Sequence, residues 1–349
     1  MTISRRSFLT AAGLASVVAL SACGGGDGAV VRSSGASASA GGGGGGGRAT
    51  VGLSYIPNVQ FAPWYIGIKE GYFSRRGVDV SVRHHGTQEG LFTALTSGQE
   101  DLLIAGGDEL VEARAKGLDL VAVASYYRTY PVELVVPESS PIRTAADLRG
   151  RRLGVPGRYG ASWLGALAAF KDAGISADDV SVTEIGYTSQ AALATGKVDA
   201  VTGFSNNDTV QMRLAGLKVR SVPLTRSGSV PLVSISLVTT RAYLEAHPDT
   251  VRSVADGMLD GIQTMKDDPD RAMKDSAAFV PNLGEEKAAT TARATLKATT
   301  AVMLGPGGTV TGKLVPSQWQ AMSTFMRSQG LITRDVPASQ AMTTELVSR

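Results

Sequence analysis

Val51–Phe73, with the sequence VGLSYIPNVQFAPWYIGIKEGYF, is the stretch that decides the fold. Its first residues, Val51–Tyr55, alternate between large and small side chains, which predicts a β-strand. Pro57 and Asn58 predict a turn, because proline lacks a backbone donor and asparagine favours turn conformations. Trp64–Gly71 then predicts a short helix that ends at a glycine. A strand, a tight turn and a helix start in succession are typical of ligand sites in open α/β sheets.

Short strands and helices alternate along the rest of the chain, in two runs separated near Glu138–Pro141. This alternation predicts an α/β fold in which helices cover both faces of mostly parallel sheets. Leu232–Thr239 is an apolar strand that could return to the first run, and Tyr243–Gly330 is mainly helical. The other predicted strands are Val78–Val82, Asp101–Ala105, Leu120–Ala124, Val132–Val136, Arg152–Val155, Val180–Ile185 and Val198–Val201.

Composition excludes several classes of function. The chain has 349 residues and a net charge of only +3, from 34 basic and 31 acidic residues, without the basic cluster of a nucleic-acid-binding surface. Its single cysteine, Cys23, excludes a disulfide framework and a thiolate metal cluster within one chain. Three histidines, two of them adjacent, also disfavour a histidine-built metal site, so we expect no cofactor.

The N-terminal residues have the features of an export signal. Twin arginines precede Phe8–Leu20, an apolar run shorter than a membrane span requires. Ser4–Leu9 resembles the twin-arginine export pattern, and Leu20–Cys23 resembles the bacterial lipobox, in which the cysteine is lipidated. We predict a signal peptide over residues 1–23 and a lipid anchor on Cys23, with an ordinary secretory signal as the alternative.

Gly24–Arg48 is a low-complexity segment that includes seven consecutive glycines. Such a composition cannot bury enough apolar surface to offset chain entropy, so residues 24–48 are predicted to be a disordered tether. A tether between a lipid anchor and a folded domain suits a protein that works beside a membrane transporter.

Two motifs carry a resemblance to a known family. The pattern P-N-x-x-x-A-P-x-Y occupies residues 57–65, and K-E-G-Y-F-x-x-x-G-V-D-V occupies residues 69–80. Together they resemble the opening of the solute-binding proteins of ABC importers, in the branch named for thiamine-pyrimidine precursors, nitrate, sulfonates and taurine. The resemblance covers residues 50–349.

This resemblance implies a type II periplasmic-binding-protein fold, with two α/β lobes, a hinge and a helical C-terminal region. The first lobe is then expected to comprise residues 49–137 and 232–349, and the second lobe residues 138–231. Thr144–Gly150 resembles the domain-linking helix of the family. A protein of this kind captures a small molecule between its lobes by hinge closure.

Candidate ligand-binding residues lie where predicted strands end and helices begin. Aromatic rings, amides and carboxylates dominate among them, and this combination suits a flat heterocycle that rings sandwich and polar groups contact at its edge. The predicted ligand-binding residues are Asn58, Phe61, Trp64, His85, Glu89, Asp108, Glu109, Tyr126, Arg158, Tyr159, Trp163, Tyr187, Phe204, Asn206 and Asn207.

Several of these candidates have a purely structural alternative. Trp64 and Trp163 could belong to the cores of their lobes. Asp108 and Glu109 follow a Gly-Gly turn and could cap a helix, and Asn206–Asn207 could form only a turn.

The pair His84–His85 ends a predicted strand, so one ring is expected to pack and the other to face the cleft. We favour His85 as the ring that faces the cleft, because Gly86 would open the backbone beside it. An exported enzyme that uses His85 as a base with Glu89 or Asp108 is a competing hypothesis. The chain has no G-x-S-x-G, Walker A or HExxH motif to support it.

Two further alternatives come from the family itself. An anion site should offer arginine and free N–H groups, and only Arg158 and the helix start at Ser162 suit a sulfonate, taurine or nitrate ligand. Eukaryotic relatives that synthesise the thiamine pyrimidine carry a cysteine-rich motif in the cleft. No cysteine follows Cys23 here, so a synthase-like activity is disfavoured and no catalysis is expected.

The sequence Arg83–Gly86 with Glu89–Phe92, followed by Ala105–Glu109, is similar to binders of riboflavin and of thiamine-pyrimidine precursors. We therefore expect a monomeric, lipid-anchored extracytoplasmic protein that delivers such a vitamin or precursor to the permease subunits of an ABC importer. Riboflavin is slightly favoured over the pyrimidine. A sensor lobe that signals without transport is the remaining hypothesis.

Overall fold

The computed structural model describes residues 47–85 and 90–347. Within these ranges the chain forms ten strands in two five-stranded sheets, which confirms the predicted α/β class. The strands are β1 (Gly47–Leu53), β2 (Val78–His84), β3 (Leu102–Gly106), β4 (Leu120–Ser125), β5 (Val132–Pro137), β6 (Arg152–Val155), β7 (Ser181–Glu184), β8 (Ala200–Phe204), β9 (Val219–Val222) and β10 (Ile235–Thr240).

Helices surround both sheets, and the long ones follow β10. The α-helices are α1 (Ala62–Lys69), α2 (Thr93–Thr96), α3 (Gly107–Ala115), α4 (Gly160–Ala173), α5 (Ser189–Ala194), α6 (Asp208–Leu214), α7 (Arg241–Ala246), α8 (Pro248–Asp267), α9 (Pro269–Ser276), α10 (Glu286–Leu304), α11 (Pro316–Ser328) and α12 (Ala338–Ala341).

The two sheets share one topology. The first sheet has the order β2-β1-β3-β10-β4, and the second has the order β7-β6-β8-β5-β9. In each, three neighbouring strands run parallel and the fourth strand is antiparallel to both of its neighbours. We call the first sheet with its helices the first lobe, and the second sheet with its helices the second lobe. Strand β10 returns to the first lobe, as the sequence predicted.

Two predicted boundaries differ from the structure. Val132–Pro137 pairs with β8 and β9 in the second sheet, although the first lobe was predicted to extend to residue 137. An apolar strand pattern does not state which sheet the strand joins. Gly47 and Arg48, assigned to the tether, pair with Val78 and Asp79 in the first sheet, because backbone pairing at a strand end needs no apolar side chain.

Close packing of α8 on α1 fixes the opening stretch of the first lobe. Gly257 and Gly261 lie on one face of α8, four residues apart. A Cβ on Gly261 would lie 2.1 Å from the carbonyl oxygen of Pro63, and one on Gly257 would lie 2.4 Å from Cδ1 of Phe73. Only glycine lets the backbone of α8 approach the start of α1 and the Phe73 ring this closely.

The predicted signal peptide, the lipidation site Cys23 and tether residues 24–46 lie outside the described residues. In the part of the chain that the structure describes, no helix has both the length and the apolar character needed to cross a membrane.

Candidate functional site

A cavity of about 230 Å³ lies between the two lobes, where strands of both sheets end. The first lobe and its connections contribute Ser54, Tyr55, Gln60, Phe61, Leu91, Ile104, Glu109, Tyr126, Tyr127 and Ile235. The second lobe contributes Pro156, Tyr159, Gly160, Ala161, Ser162, Tyr187, Ser189, Phe204, Asn207 and Asp208. Both lobes therefore line the cavity in similar proportion, as capture by closure requires.

Two tyrosines of the second lobe are largely exposed to solvent beside the cavity. Tyr159 is 65% exposed and Tyr187 is 69% exposed, which is unusual for large aromatic side chains. The Tyr159 ring lies over Gly157, where a Cβ would come within 2.2 Å of Cε1. Partial burial, with Tyr159 and Tyr55 nearby, raises the pKa of Tyr187. Phenol rings from both lobes thus approach one another at the mouth of the cavity.

Aromatic residues of the first lobe form the opposite wall. Tyr126 and Tyr127 stack with their ring centroids 5.2 Å apart. The Tyr126 hydroxyl donates to the carbonyl oxygen of Gln60 at 2.7 Å, and the Tyr127 hydroxyl contacts Oε1 of Gln60 at 3.4 Å. Burial raises the pKa of Tyr127 far above the physiological range, so this phenol stays protonated. The wall is rigid and uncharged.

Glu109 brings a carboxylate to the cavity from the first turn of α3. Its Oε2 accepts a hydrogen bond from the Gly106 backbone N–H at 2.9 Å, which caps the helix. Its Oε1 lies 3.5 Å from the Cβ position of Gly160, at the start of α4 in the second lobe. Burial raises the pKa of Glu109. Glu109 therefore caps a helix and also faces the other lobe.

Asp208 is the second carboxylate of the cavity, from the second lobe. Its Oδ2 accepts a hydrogen bond from the Phe204 backbone N–H at 2.8 Å. Burial raises its pKa as well. Neither lysine nor arginine occurs among the described residues that line the cavity. Within the described ranges, no group of three or more His, Cys, Asp or Glu side chains could hold a metal ion.

Asp108 lies behind the cavity, in a contact that joins the lobes. The Tyr130 hydroxyl donates to the carbonyl oxygen of Ala161, in α4, at 2.8 Å and lies 3.2 Å from Oδ2 of Asp108. Burial, together with the neighbouring Glu109, raises the pKa of Asp108 to about 7. A hydroxyl has one proton, so a protonated Asp108 can supply the hydrogen for the second contact.

Seven predicted site residues line the cavity, and seven lie elsewhere. Phe61, Glu109, Tyr126, Tyr159, Tyr187, Phe204 and Asn207 line it. The others that the structure describes are Asn58, Trp64, His85, Asp108, Arg158, Trp163 and Asn206. Glu89 is outside the described residues, as are its neighbours 86–88.

His85 does not face the cleft as predicted. It is buried, and its Nε2 lies 2.8 Å from Oε1 of Glu100, whose side chain has no exposed surface. Arg83 contacts the same oxygen at 2.7 Å. A carboxylate that is shielded from solvent needs such partners. His85 therefore points into the first lobe, where it contacts Glu100.

The two tryptophans and Arg158 form packing contacts instead of lining the cavity. Trp64 is fully buried and stacks on Phe73 with centroids 5.8 Å apart. Trp163 belongs to the core of the second lobe, edge-on to Phe170. Arg158 lies over the Trp163 ring at 5.1 Å and pairs with Glu184 at 3.6 Å, and it is not among the lining residues.

Two predicted asparagines satisfy backbone or buried groups. Asn58 accepts from the Gln60 backbone N–H at 3.0 Å and caps a short 3₁₀ turn. Asn206 is fully buried and donates to Oγ1 of Thr299 at 3.0 Å and to the Tyr127 hydroxyl at 3.3 Å. Asn206 thus attaches the second lobe to α10 of the first lobe.

Several lining residues were absent from the predicted set. Tyr55, Gln60 and Asp208 all lie within a few residues of predicted site residues. Their position at strand ends was a usable signal. Small or apolar lining residues such as Leu91, Pro156 and Ser189 carry no comparable signal in the sequence.

The chain matches a known protein family and is similar to two binding proteins. The family described as "NMT1/THI5 like" matches residues 58–272. The riboflavin-binding protein RibY of Chloroflexus aurantiacus is 31% identical over 311 residues, which is 86% of each chain. The formylaminopyrimidine-binding protein of Halalkalibacterium halodurans is 24% identical over 225 residues, 64% of this chain and 68% of the relative.

Among solved structures, the periplasmic aliphatic sulphonate binding protein SsuA of Escherichia coli superposes with a TM-score of 0.68. The match covers 86% of this chain and 98% of that one at 19% identity. At this identity the similarity establishes the fold, and it confirms the predicted periplasmic-binding-protein architecture.

Proposed function

Since the chain belongs to the NMT1/THI5-like family, we propose that it is the extracytoplasmic solute-binding component of an ABC importer and that its ligand is riboflavin. The ligand would enter between the open lobes and contact the aromatic wall of the first lobe. Closure would then bring Tyr159 and Tyr187 of the second lobe onto the exposed face of the flavin.

The observation that carries this proposal is the pair of exposed tyrosines opposite a rigid aromatic wall. Offset stacking and edge-to-face contacts between rings contribute about 0.5–1.5 kcal/mol each beyond the burial of area. Glu109, Asn207 and Asp208 line the cavity, where they can accept or donate hydrogen bonds at the edge of a heterocycle. The similarity to RibY over most of both chains supports riboflavin in particular.

Attachment and partners are part of the same proposal. Cys23 would carry the lipid, residues 24–46 would tether the domain, and the export signal would use the twin-arginine route. The closed monomer would dock on the permease subunits and release its ligand unchanged when the lobes part. We propose no catalytic step, and no nucleic acid partner.

An anionic ligand such as a sulfonate is the second candidate, and one observation favours it. The first turn of α4, from Gly160 to Ser162, lines the cavity, and a helix N-terminus attracts anions. Glu109 already faces Gly160 with a carboxylate oxygen, however, and this negative charge opposes an anion at the same place. Riboflavin therefore remains the favoured ligand.

Thermal unfolding against a ligand panel tests the proposal. The protein is the full chain with Cys23→Ser, which prevents lipidation, and the panel is riboflavin, formylaminopyrimidine, thiamine, taurine and an alkanesulfonate. A ligand that binds only the folded state adds about 2.7 kcal/mol at a hundredfold excess over its Kd. Riboflavin should raise the unfolding temperature; a shift with taurine or the sulfonate alone would overturn the proposal.

A further inference from the structure

We infer that the cavity selects against negatively charged ligands, and that Glu109 and Asp208 make it reject the 5′-phosphate of riboflavin while it accepts riboflavin. This inference rests on the proposed function and adds a specificity to it. It concerns which chemical form of the vitamin is taken up.

The charges that line the cavity are all of one sign. Glu109 and Asp208 are the charged side chains among the described lining residues, and they come from opposite lobes. Residues 86–89, with the sequence Gly-Thr-Gln-Glu, include no basic residue. Two arginines adjoin lining residues in the sequence. Arg158 contacts Glu184 and the Trp163 ring, and Arg128 donates a hydrogen bond to the carbonyl oxygen of Lys313 at 2.7 Å.

Both carboxylates are held in place by the backbone. The Gly106 N–H fixes Oε2 of Glu109 at 2.9 Å, and the Phe204 N–H fixes Oδ2 of Asp208 at 2.8 Å. Each group therefore keeps its position at the end of its element when a ligand arrives, instead of swinging into solvent. When these groups are ionised, a negative ligand group meets a negative charge in a fixed position from either lobe.

The consequence differs sharply for the two forms of the flavin. Riboflavin offers an imide N–H and ribityl hydroxyl groups, which can donate hydrogen bonds to carboxylates. A phosphate monoester has a charge of about −1.5 to −2 at neutral pH and no donor when fully ionised. Burying that charge beside carboxylates, without a cation, is strongly unfavourable, and such repulsion is a common source of specificity.

Flavin fluorescence titrations at pH 8 test the inference on the full chain with Cys23→Ser. The readout is the ratio of the Kd for riboflavin 5′-phosphate to the Kd for riboflavin. We expect a ratio of about one hundred or more for the parent protein, equivalent to about 2.8 kcal/mol. Replacing the carboxylate that lies nearer the phosphate, by Glu109→Gln or by Asp208→Asn, should lower this ratio about tenfold. Both variants keep the side-chain oxygen that accepts the backbone hydrogen bond.

Asp79→Asn is the matched control. It removes one negative charge from an exposed position on β2, and Asp79 does not line the cavity. It should leave the ratio unchanged. A parent ratio near one, or an unchanged ratio in both single variants and in the double variant, would overturn the inference while riboflavin binding stands. If neither flavin binds, the proposed function itself fails.

Discussion

Large aromatic residues near the cavity differ in solvent exposure between the two lobes. In the first lobe, Trp64 is fully buried and Tyr126 is 1% exposed. In the second lobe, Tyr159 and Tyr187 are about two-thirds exposed. The difference follows from what covers them, because α8 and α10 close over the first sheet while nothing in the described chain covers the two tyrosines. The first lobe therefore buries Trp64 and Tyr126 in its packing, whereas the second lobe leaves Tyr159 and Tyr187 exposed beside the cavity.

The largest effect expected from this comparison is on Trp64. Trp64→Ala should lower the free energy of unfolding by about 3–5 kcal/mol, because it leaves a cavity against Phe73 and Tyr126. Urea denaturation measures the loss. A cost below about 1 kcal/mol would break the comparison, since it would mean that the first-lobe aromatics are not committed to the core.

The contact between the lobes gives a pH-dependent prediction. The pKa of Asp108 rises from 3.8 in the unfolded chain to about 7 in the folded protein. At a pH below the unfolded value, both states are protonated and this titration does not affect stability. As the pH rises to about 7, the unfolded state loses its proton first, so stability falls by a few kcal/mol and then stays constant.

Asp108→Asn removes this titration and keeps the side-chain size. The variant should gain stability over the parent at pH 8, and the gain should shrink toward pH 4. Denaturation at a series of pH values measures it. Asp79→Asn, at an exposed position on β2, is the matched control and should show no such trend. A constant difference between Asp108→Asn and the parent across the range would contradict the assignment.

His85 extends the comparison to a polar residue of the first lobe. His85→Ala should cost about 1–3 kcal/mol, because Glu100 stays buried and loses one of its hydrogen-bond partners. The Kd for riboflavin should not change, since His85 does not line the cavity. Denaturation and fluorescence titration together separate the two effects. A large loss of affinity with unchanged stability would show that His85 acts in ligand binding instead of stability.

The smallest effect on stability is expected at the exposed tyrosines. Tyr159→Ala and Tyr187→Ala should each change the free energy of unfolding by less than about 0.5 kcal/mol. Each should nevertheless weaken riboflavin binding about tenfold, since a ring contact is worth about 1 kcal/mol or more. Tyr→Phe at either position should retain most of the affinity. Tyr243→Ala, remote from the cavity, is the control.

The sequence predicted part of the cavity lining, but it did not predict the direction of individual side chains. The α/β periodicity placed the strand ends correctly, and seven of the predicted residues do line the cavity. His85 and Asn206 failed because their partners, Glu100 and Thr299, lie 15 and 93 residues away along the chain. A strand pattern shows that two consecutive side chains face opposite sides of the sheet, but it does not show which buried group lies on each side.

The neighbouring His84 illustrates the same limit. Its Nδ1 lies 3.0 Å from the Tyr55 carbonyl oxygen, and its Nε2 lies 3.1 Å from the Tyr65 hydroxyl. Burial lowers its pKa, so the ring is neutral, with Nδ1 as donor and Nε2 as acceptor. Both rings therefore bind groups of the first lobe, His84 while half-buried and His85 while buried. The alternation rule predicted that one of them would face the cleft.

The antiparallel pairing of β4 with β10 has a consequence for protein engineering of this chain. The whole second sheet comes from one uninterrupted stretch, and the strands on either side of it are antiparallel neighbours, with Ser125 opposite Ser236. The points where that stretch leaves and returns therefore lie side by side, and a hairpin turn of two to five residues could join them. The second lobe could therefore be excised, or replaced by that of a relative, without breaking the strand pairing of the first sheet.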